Sequence, residues 1–413
     1  MMRLPAAFGV PKGAAAFSFY ERRRSFRARR LTLAFTAREL HDAEFLAAAA
    51  AALSDDEESD DEFIDELLFA SCDPMVKELK QEIGVQHLSV QRLKLEAAGR
   101  GLSGDLASRN VYCSYGFRLE DLPAVVEALQ PPPAFRVRGG AVFSGEEGVL
   151  LLLRRFRSTG PLLDLTKDAG RSIAHISEAV TFMVEHVHSR FAHLIDVRSF
   201  EAWAPRFESF AQVFKSKGAP IDNLIGFIDG KLQSVCKPGK YQHVLYSGHK
   251  RVHGLKTQGI VFPNGIQPFP FGPVLGSRHD SFLLRVSGVL HALRLACMRL
   301  GADYVLFGDS AYPISRFLWR MYKGVQSPAQ KAFNAQMAPL RIAAEWGFGK
   351  IVTLWPFLDY RKKHMILLSP VGLYFPVGNV LTNMHTCLYG SNISNAFDME
   401  PPSLSAYMAG GPF

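Results

Sequence analysis

Two kinds of hydrophobic spacing divide the chain near residue 220. Upstream, apolar positions step by three and four. Leu119, Leu122, Val125, Val126 and Leu129 form one face of a helix over Phe117–Leu129, closed by Pro131, Pro132 and Pro133. Ser144-Gly145-Glu146-Glu147 is a capping-box pattern ahead of the apolar run Val149–Phe156. After the short segment Pro161–Ala169 and Gly170-Arg171-Ser172, the residues Ile173, Ile176, Val180, Val184, Val187 and Phe191 predict a long amphipathic helix. Downstream, short apolar runs predict strands at Leu224–Ile228 and Tyr304–Phe307. Two more, Gly254–Phe262 and Gly265–Phe271, flank the turn signal Pro263-Asn264-Gly265. Helices are expected at Ser281–Leu300, at Ile314–Tyr322 and from Pro339 through Phe348. This alternation predicts an α/β layer arrangement after an all-helical region.

Residues 1–62 have a different texture. The arginine-rich Glu21–Arg30 precedes an alanine tract and the acidic block Ser54–Glu62, so a disordered charged lead is expected. Its basic cluster reads as a nuclear-localisation patch or nucleic-acid tail, and an organelle transit peptide is the alternative. The expected organisation is 1–62 lead, 63–116 helical or irregular connector, 117–220 helical DNA-binding region, 221–390 α/β domain and 391–413 irregular tail. Two short helices before a longer one resemble a helix-turn-helix. In that reading Arg171 and His175, near the start of the longer helix, would meet DNA. A plain helical bundle gives the same pattern.

With 413 residues and a formal charge of +8, the chain can hold two domains and suits an anionic partner. No apolar run approaches the roughly 20 residues of a membrane span, so no membrane partner is expected. The five cysteines lie far apart with no C-x-x-C pair, which argues against a zinc site or disulfide framework and fits a reducing compartment. Any metal would therefore have oxygen ligands.

The charge is unevenly distributed. Between Asp229 and Glu345 there are five acids (Asp229, Asp280, Asp303, Asp309 and Glu345) against fifteen Lys and Arg. Isolated carboxylates in a basic surround suit an enzyme acting on phosphodiesters, because cations attract the polyanion and carboxylates hold divalent metal. Structural aspartates at strand ends in a basic domain would give the same count. The acid-free stretch Lys231–Lys256 carries Lys231, Lys250, Arg251 and Lys256 as candidate phosphate contacts.

Several segments resemble, in order, the DDE-type transposases of the PIF/Harbinger class and the proteins domesticated from them. They are Gly226–Gly230 (GFIDG), Tyr246–Lys256, Gly276–Ser281 (GSRHDS), Gly308–Pro313 (GDSAYP), Arg341–Lys350 (RIAAEWGFGK) and Asn379–Tyr389, across about 165 residues. The resemblance implies an RNase H-like mixed-sheet nuclease core with Asp229, Asp309 and Glu345 as a metal-binding catalytic triad using Mg²⁺ or Mn²⁺. Asp280, with His279, would be accessory, and Asp303 a solvated residue before a strand. Lys231 departs from the small hydroxyl residue that many relatives carry there. Implied partners are DNA and a separately encoded Myb/SANT-like DNA-binding protein, with homo-oligomerisation left open and the nucleus as the expected location. The expected function is a metal-dependent DNA endonuclease. A catalytically silent DNA-binding or chromatin protein of the same fold is the alternative, as is a helix-turn-helix regulator with an unrelated α/β domain.

Overall fold

The computed structural model describes residues 88–100, 104–240, 242–366 and 368–411. The charged lead, its basic cluster and residues 63–87 of the connector lie outside the described residues.

The first part is helical: Val90–Gly99, Gly104–Tyr115, Leu122–Ala128, Gly145–Arg157, Leu162–Ala169 and Ile173–Arg190. Val149 to Leu153 and Phe156 make Gly145–Arg157 its buried axis. A hairpin not expected from the sequence, β1 (Ala134–Arg136) with β2 (Val142–Ser144), precedes that helix. It forms because Phe135 stacks on Phe143 (5.6 Å between ring centroids) and on Phe182 (4.1 Å). The capping box is half realised. Ser144 Oγ accepts from the Glu147 N–H (3.1 Å), but the Glu147 carboxylate turns to Arg171 instead of back to the cap. Gly170, in the left-handed region at φ 65°, ends Leu162–Ala169, and Ser172 caps the next helix by accepting from the His175 N–H (3.2 Å). Two helices joined by a three-residue turn are therefore present, as the spacing predicts.

After Val197–Ala202 and Phe207–Ser216 the chain enters a six-stranded mixed sheet. Its strands are β3 (Leu224–Ser234), β4 (Tyr246–Ser247), β5 (Val252–Val261), β6 (Phe271–Leu275), β7 (Val305–Gly308) and β8 (Leu318–Arg320). β3 is central, antiparallel to β5 and parallel to β7. β8 continues parallel beyond β7, while β4 and β6 share the outer edge of β5. The order β6-β5-β3-β7-β8, a meander followed by parallel crossovers, is the RNase H-like arrangement. The helix Pro328–Leu354 covers the face to which Phe227 and Phe307 point, and the helices Asp280–Ser287 and Val289–Leu300 belong to the other.

Several local expectations are corrected. Ile314–Tyr322 is not a helix but contains the edge strand β8, because pairing Leu318 with Leu306 buries it completely. Ser281–Leu300 is broken at Gly288, which is left-handed (φ 72°) and so cannot continue a helix. Of Gly265–Phe271 only Phe271 is strand, where it opens β6. Residues 265–270 are a buried loop whose Gln267 backbone bonds to Asn379 and Asn383 replace ladder pairing. Residues 391–411 are not an irregular tail. They form the helices Asn392–Ala396 and Leu404–Ala409, held because Phe397 packs on Phe214 (4.9 Å) and buried Tyr407 receives a bond from Asn383 (3.0 Å).

The helical region and the sheet region share one core. A single apolar cluster runs from Leu88 to Met408 and includes the helix Val371–Tyr389, buried along most of its length. That helix meets both Ile173–Arg190 and Pro328–Leu354. Ring contacts cross the expected boundary, including Phe117 with Trp355 (6.0 Å) and Phe210 with Phe262 (4.7 Å). Among the described residues no single helix is long and apolar enough to cross a membrane.

Candidate active site

The sheet register brings two of the acids side by side. Ile228 of β3 pairs with Gly308, the last residue of β7, so the next residues on the two parallel strands are Asp229 and Asp309. Neighbouring strands lie about 4.8 Å apart. Gly308 is required at this junction, since a Cβ there would stand 2.7 Å from the Tyr312 ring and 3.3 Å from Ile228. Asp309 then turns the chain: its Oδ1 accepts from the Ala311 N–H (2.8 Å). Asp229 Oδ1 accepts from the Gly230 N–H (2.8 Å).

Asp229 is held above the ordinary aspartate range. Burial is the main cause, and the negative charges of Asp309 and Asp280 add to it; the Gly230 N–H and the Arg341 guanidinium act against it. A half-buried carboxylate facing a second one is a place where a divalent cation would relieve repulsion, and the donors are hard oxygens of the kind Mg²⁺ takes. Asp229 and Asp309 therefore fit the implied metal.

Glu345 stands differently. It lies on Pro328–Leu354 one turn before Phe348, which packs against Gly259, the register partner of Asp229. Its carboxylate is 65% exposed and 3.8 Å from Arg341, four residues earlier on the same helix. Among the described residues, no three His, Cys, Asp or Glu side chains are grouped closely enough to hold an ion. The geometry thus presents an acid pair with a third acid alongside, turned toward Arg341.

Asp280 lies across the sheet from Asp229. Side chains alternate along β3, and the face opposite to that of Asp229 is shown by Gly230, where a Cβ would come 2.8 Å from Asp280 Oδ1 and 3.8 Å from Tyr312 Oη. Gln258, paired with Gly230, donates to Tyr312 Oη (3.0 Å) on that same face. Lys256 Nζ reaches Asp280 Oδ1 (3.1 Å) with both side chains largely covered. Asp280 thus lies behind Gly230 of the strand that carries Asp229 and is bonded to Lys256 of the neighbouring β5. Burial, with the three aspartates as lesser contributors, drives the Tyr312 hydroxyl well above its usual range, so it stays protonated. His279, before the first residue of Asp280–Ser287, is exposed.

The proposed phosphate contacts are spread out. Lys231, half-buried, falls on the Asp229 face of β3, two residues on. Lys250 and Arg251 are exposed in the turn between β4 and β5, with Arg251 at φ 55°. Lys256 has its ammonium on Asp280. Arg171 is committed inside the protein: its Nε and Nη2 each lie 3.0 Å from the fully buried Glu147 carboxylate, and Nη2 also donates to Val142 O. Its guanidinium sits 4.5 Å from the Phe143 ring centroid. The His175 side chain lies against Gly139 in the β1–β2 turn. Asp303 is exposed just before β7, as expected, and accepts three bonds from Arg316.

Three further residues shape the site. Arg341 lies four residues before Glu345, a helix spacing at which an ion pair is expected. Tyr312 follows Asp309 by three residues, within its turn. Gln258 had no sequence signal, since only the register reveals what it faces. Farther back, Lys350 anchors the helix of Glu345 by donating to Thr386 Oγ1 (2.8 Å) and Gly390 O (2.7 Å). Burial pushes its pKa down to about 8.

Fold and acid pair together define an RNase H-like nuclease core. Residues 228–383 match the family model for DDE superfamily endonucleases, a span that takes in Asp229, Asp280, Asp309 and Glu345. The match supports the DDE superfamily for this part of the chain. No curated protein and no solved structure matches it significantly.

Proposed function

We propose that this chain is a transposase-derived DNA endonuclease of the PIF/Harbinger class that cleaves phosphodiesters with divalent metal. The observation that carries this reading is the parallel register of β3 and β7, which sets Asp229 beside Asp309 at a strand end inside an RNase H-like sheet. Mg²⁺ or Mn²⁺ bound there would supply an activated water and stabilise the leaving oxygen. Asp229 and Asp309 would hold it, and Glu345 would complete the set by a side-chain rotation away from Arg341. Released by that rotation, Arg341 can meet a phosphate oxygen, as can Lys231 beside Asp229. Asp280 stands behind Gly230 of β3, bonded to Lys256 of β5. The substrate would be nuclear DNA, engaged with the help of a separate DNA-binding partner.

Supercoiled-plasmid nicking with Mg²⁺ tests the proposal. Asp309→Asn should lower the rate by roughly 100-fold or more, the scale expected when a ligand rather than its support is lost. Thermal unfolding of the metal-free variant should match wild type. Undiminished nicking by Asp309→Asn would sink the assignment. A wild type that binds DNA but shows neither nicking nor Mn²⁺ uptake by calorimetry would instead be a silent DNA-binding protein.

A further inference from the structure

Away from the acid pair, the structure assembles a basic surface from segments more than a hundred residues apart. The short 3-10 turn Arg361–Lys363 is stitched to the end of β3. Gln233 Nε2 donates to Leu358 O (3.2 Å), the Cys236 N–H to His364 O (3.0 Å), and Cys236 Sγ to Arg361 O (3.1 Å). His364, buried, places Nδ1 3.1 Å from Ser234 O and packs edge-on against Phe357 (5.3 Å). These bonds fix the turn's backbone while Arg361 and Lys362 are exposed and Lys363 half-exposed.

Exposed Lys237 follows directly on Cys236, and the Val235 N–H donates to His253 O (2.9 Å), which brings up the turn carrying Lys250 and Arg251. The proximity registers at His253, held below the ordinary histidine range by partial burial and then by the charges of Lys237 and Arg361. Among the described residues no ion pair engages any of these six cations. Asp359, two residues before Arg361, is the neighbouring acid. Fixed backbones presenting cations whose charges repel one another suit a polyanion with evenly spaced charge.

From Asp229 to Ser234 is five steps along β3, about 17 Å at ~3.3 Å per residue. That corresponds to about five base pairs at ~3.4 Å each. We propose that Lys237, Arg361–Lys363 and the Lys250–Arg251 turn form a second phosphate-binding surface that grips the DNA backbone about five base pairs from the acid pair. The inference rests on the nuclease reading for its substrate, and its test separates the two.

The full chain is titrated with a duplex of about 30 base pairs at a series of salt concentrations without divalent metal, as wild type and as Arg361→Gln/Lys362→Gln/Lys363→Gln. Each lost phosphate contact should make the plot of log K against log salt shallower by about 0.9, so the triple variant should lose roughly 2 to 3 from its slope. Its nicking rate at saturating DNA should stay within about twofold of wild type, because a backbone contact positions without entering the chemistry. The charge-conserving Arg361→Lys/Lys362→Arg/Lys363→Arg variant should restore the slope. An unchanged slope in the glutamine variant overturns the surface while leaving the nuclease reading intact. Tighter binding of poly-glutamate than of duplex also overturns it. A slope that falls as expected in a wild type that never nicks supports the surface and sinks the nuclease reading. Failure of the wild type to bind duplex sinks both.

Discussion

Lys350 offers a test of how the helix carrying Glu345 is held. Its ammonium is largely covered and bonded only to neutral oxygens, Thr386 Oγ1 and Gly390 O, so the charge is stabilised without being neutralised. Burial lowers its pKa from 10.5 to about 8. At about 1.36 kcal/mol per pH unit, that difference is about 3 kcal/mol. The sign follows from proton counting. Between pH 8 and 10.5 the unfolded chain holds a proton on this lysine that the folded chain has shed, so stability rises with pH across that window. Below pH 8 the folded state carries the full cost of the buried charge. Most of the cost should be recovered by pH 10, before the unfolded lysine titrates. Lys350→Met removes the titration but leaves the two acceptors without this donor, at about 1–3 kcal/mol each. Urea unfolding between pH 7.5 and 10 measures the effect. Wild-type stability should climb by about 2 kcal/mol relative to Lys350→Met, whose own profile lacks that climb. Parallel profiles for the two proteins would refute the reasoning.

Arg171→Ala should cost about 3–5 kcal/mol in urea unfolding, because it strands the fully buried Glu147 charge. A loss below 1 kcal/mol, with weakened DNA binding instead, would return Arg171 to the role that the helix-turn-helix resemblance implies. The glycines give a paired prediction. Gly308→Ala should destabilise by about 1–3 kcal/mol, since its Cβ meets the Tyr312 ring at 2.7 Å. Gly349→Ala, in a helix interior with nothing within 4 Å, should stabilise by about 0.5–1 kcal/mol. Equal shifts in thermal unfolding for the two would contradict the packing described.

Sequence spacing carried the local features. The three-and-four apolar steps marked Gly145–Arg157 and Ile173–Arg190, the two halves of the turn at Gly170–Ser172 were legible, and each of the four site acids announced itself in a short motif. Spacing failed where a residue's partner lay far along the chain. Leu318 reads equally well in helix or strand, and only the open edge of β7 selects strand. The residues after Tyr389 look irregular until Phe214 and Asn383 provide surfaces for them.

The same division runs through the site. By itself the sequence determined which chemical groups are available, because motif, charge and oxygen donors are properties of the residues themselves. Tertiary structure alone decided how they are deployed, because register and helix packing are long-range choices. It sets Asp229 beside Asp309, puts Asp280 behind the strand with its charge on Lys256, and turns Glu345 toward Arg341. It also commits Arg171 to a buried carboxylate and draws Arg361–Lys363 to the end of β3.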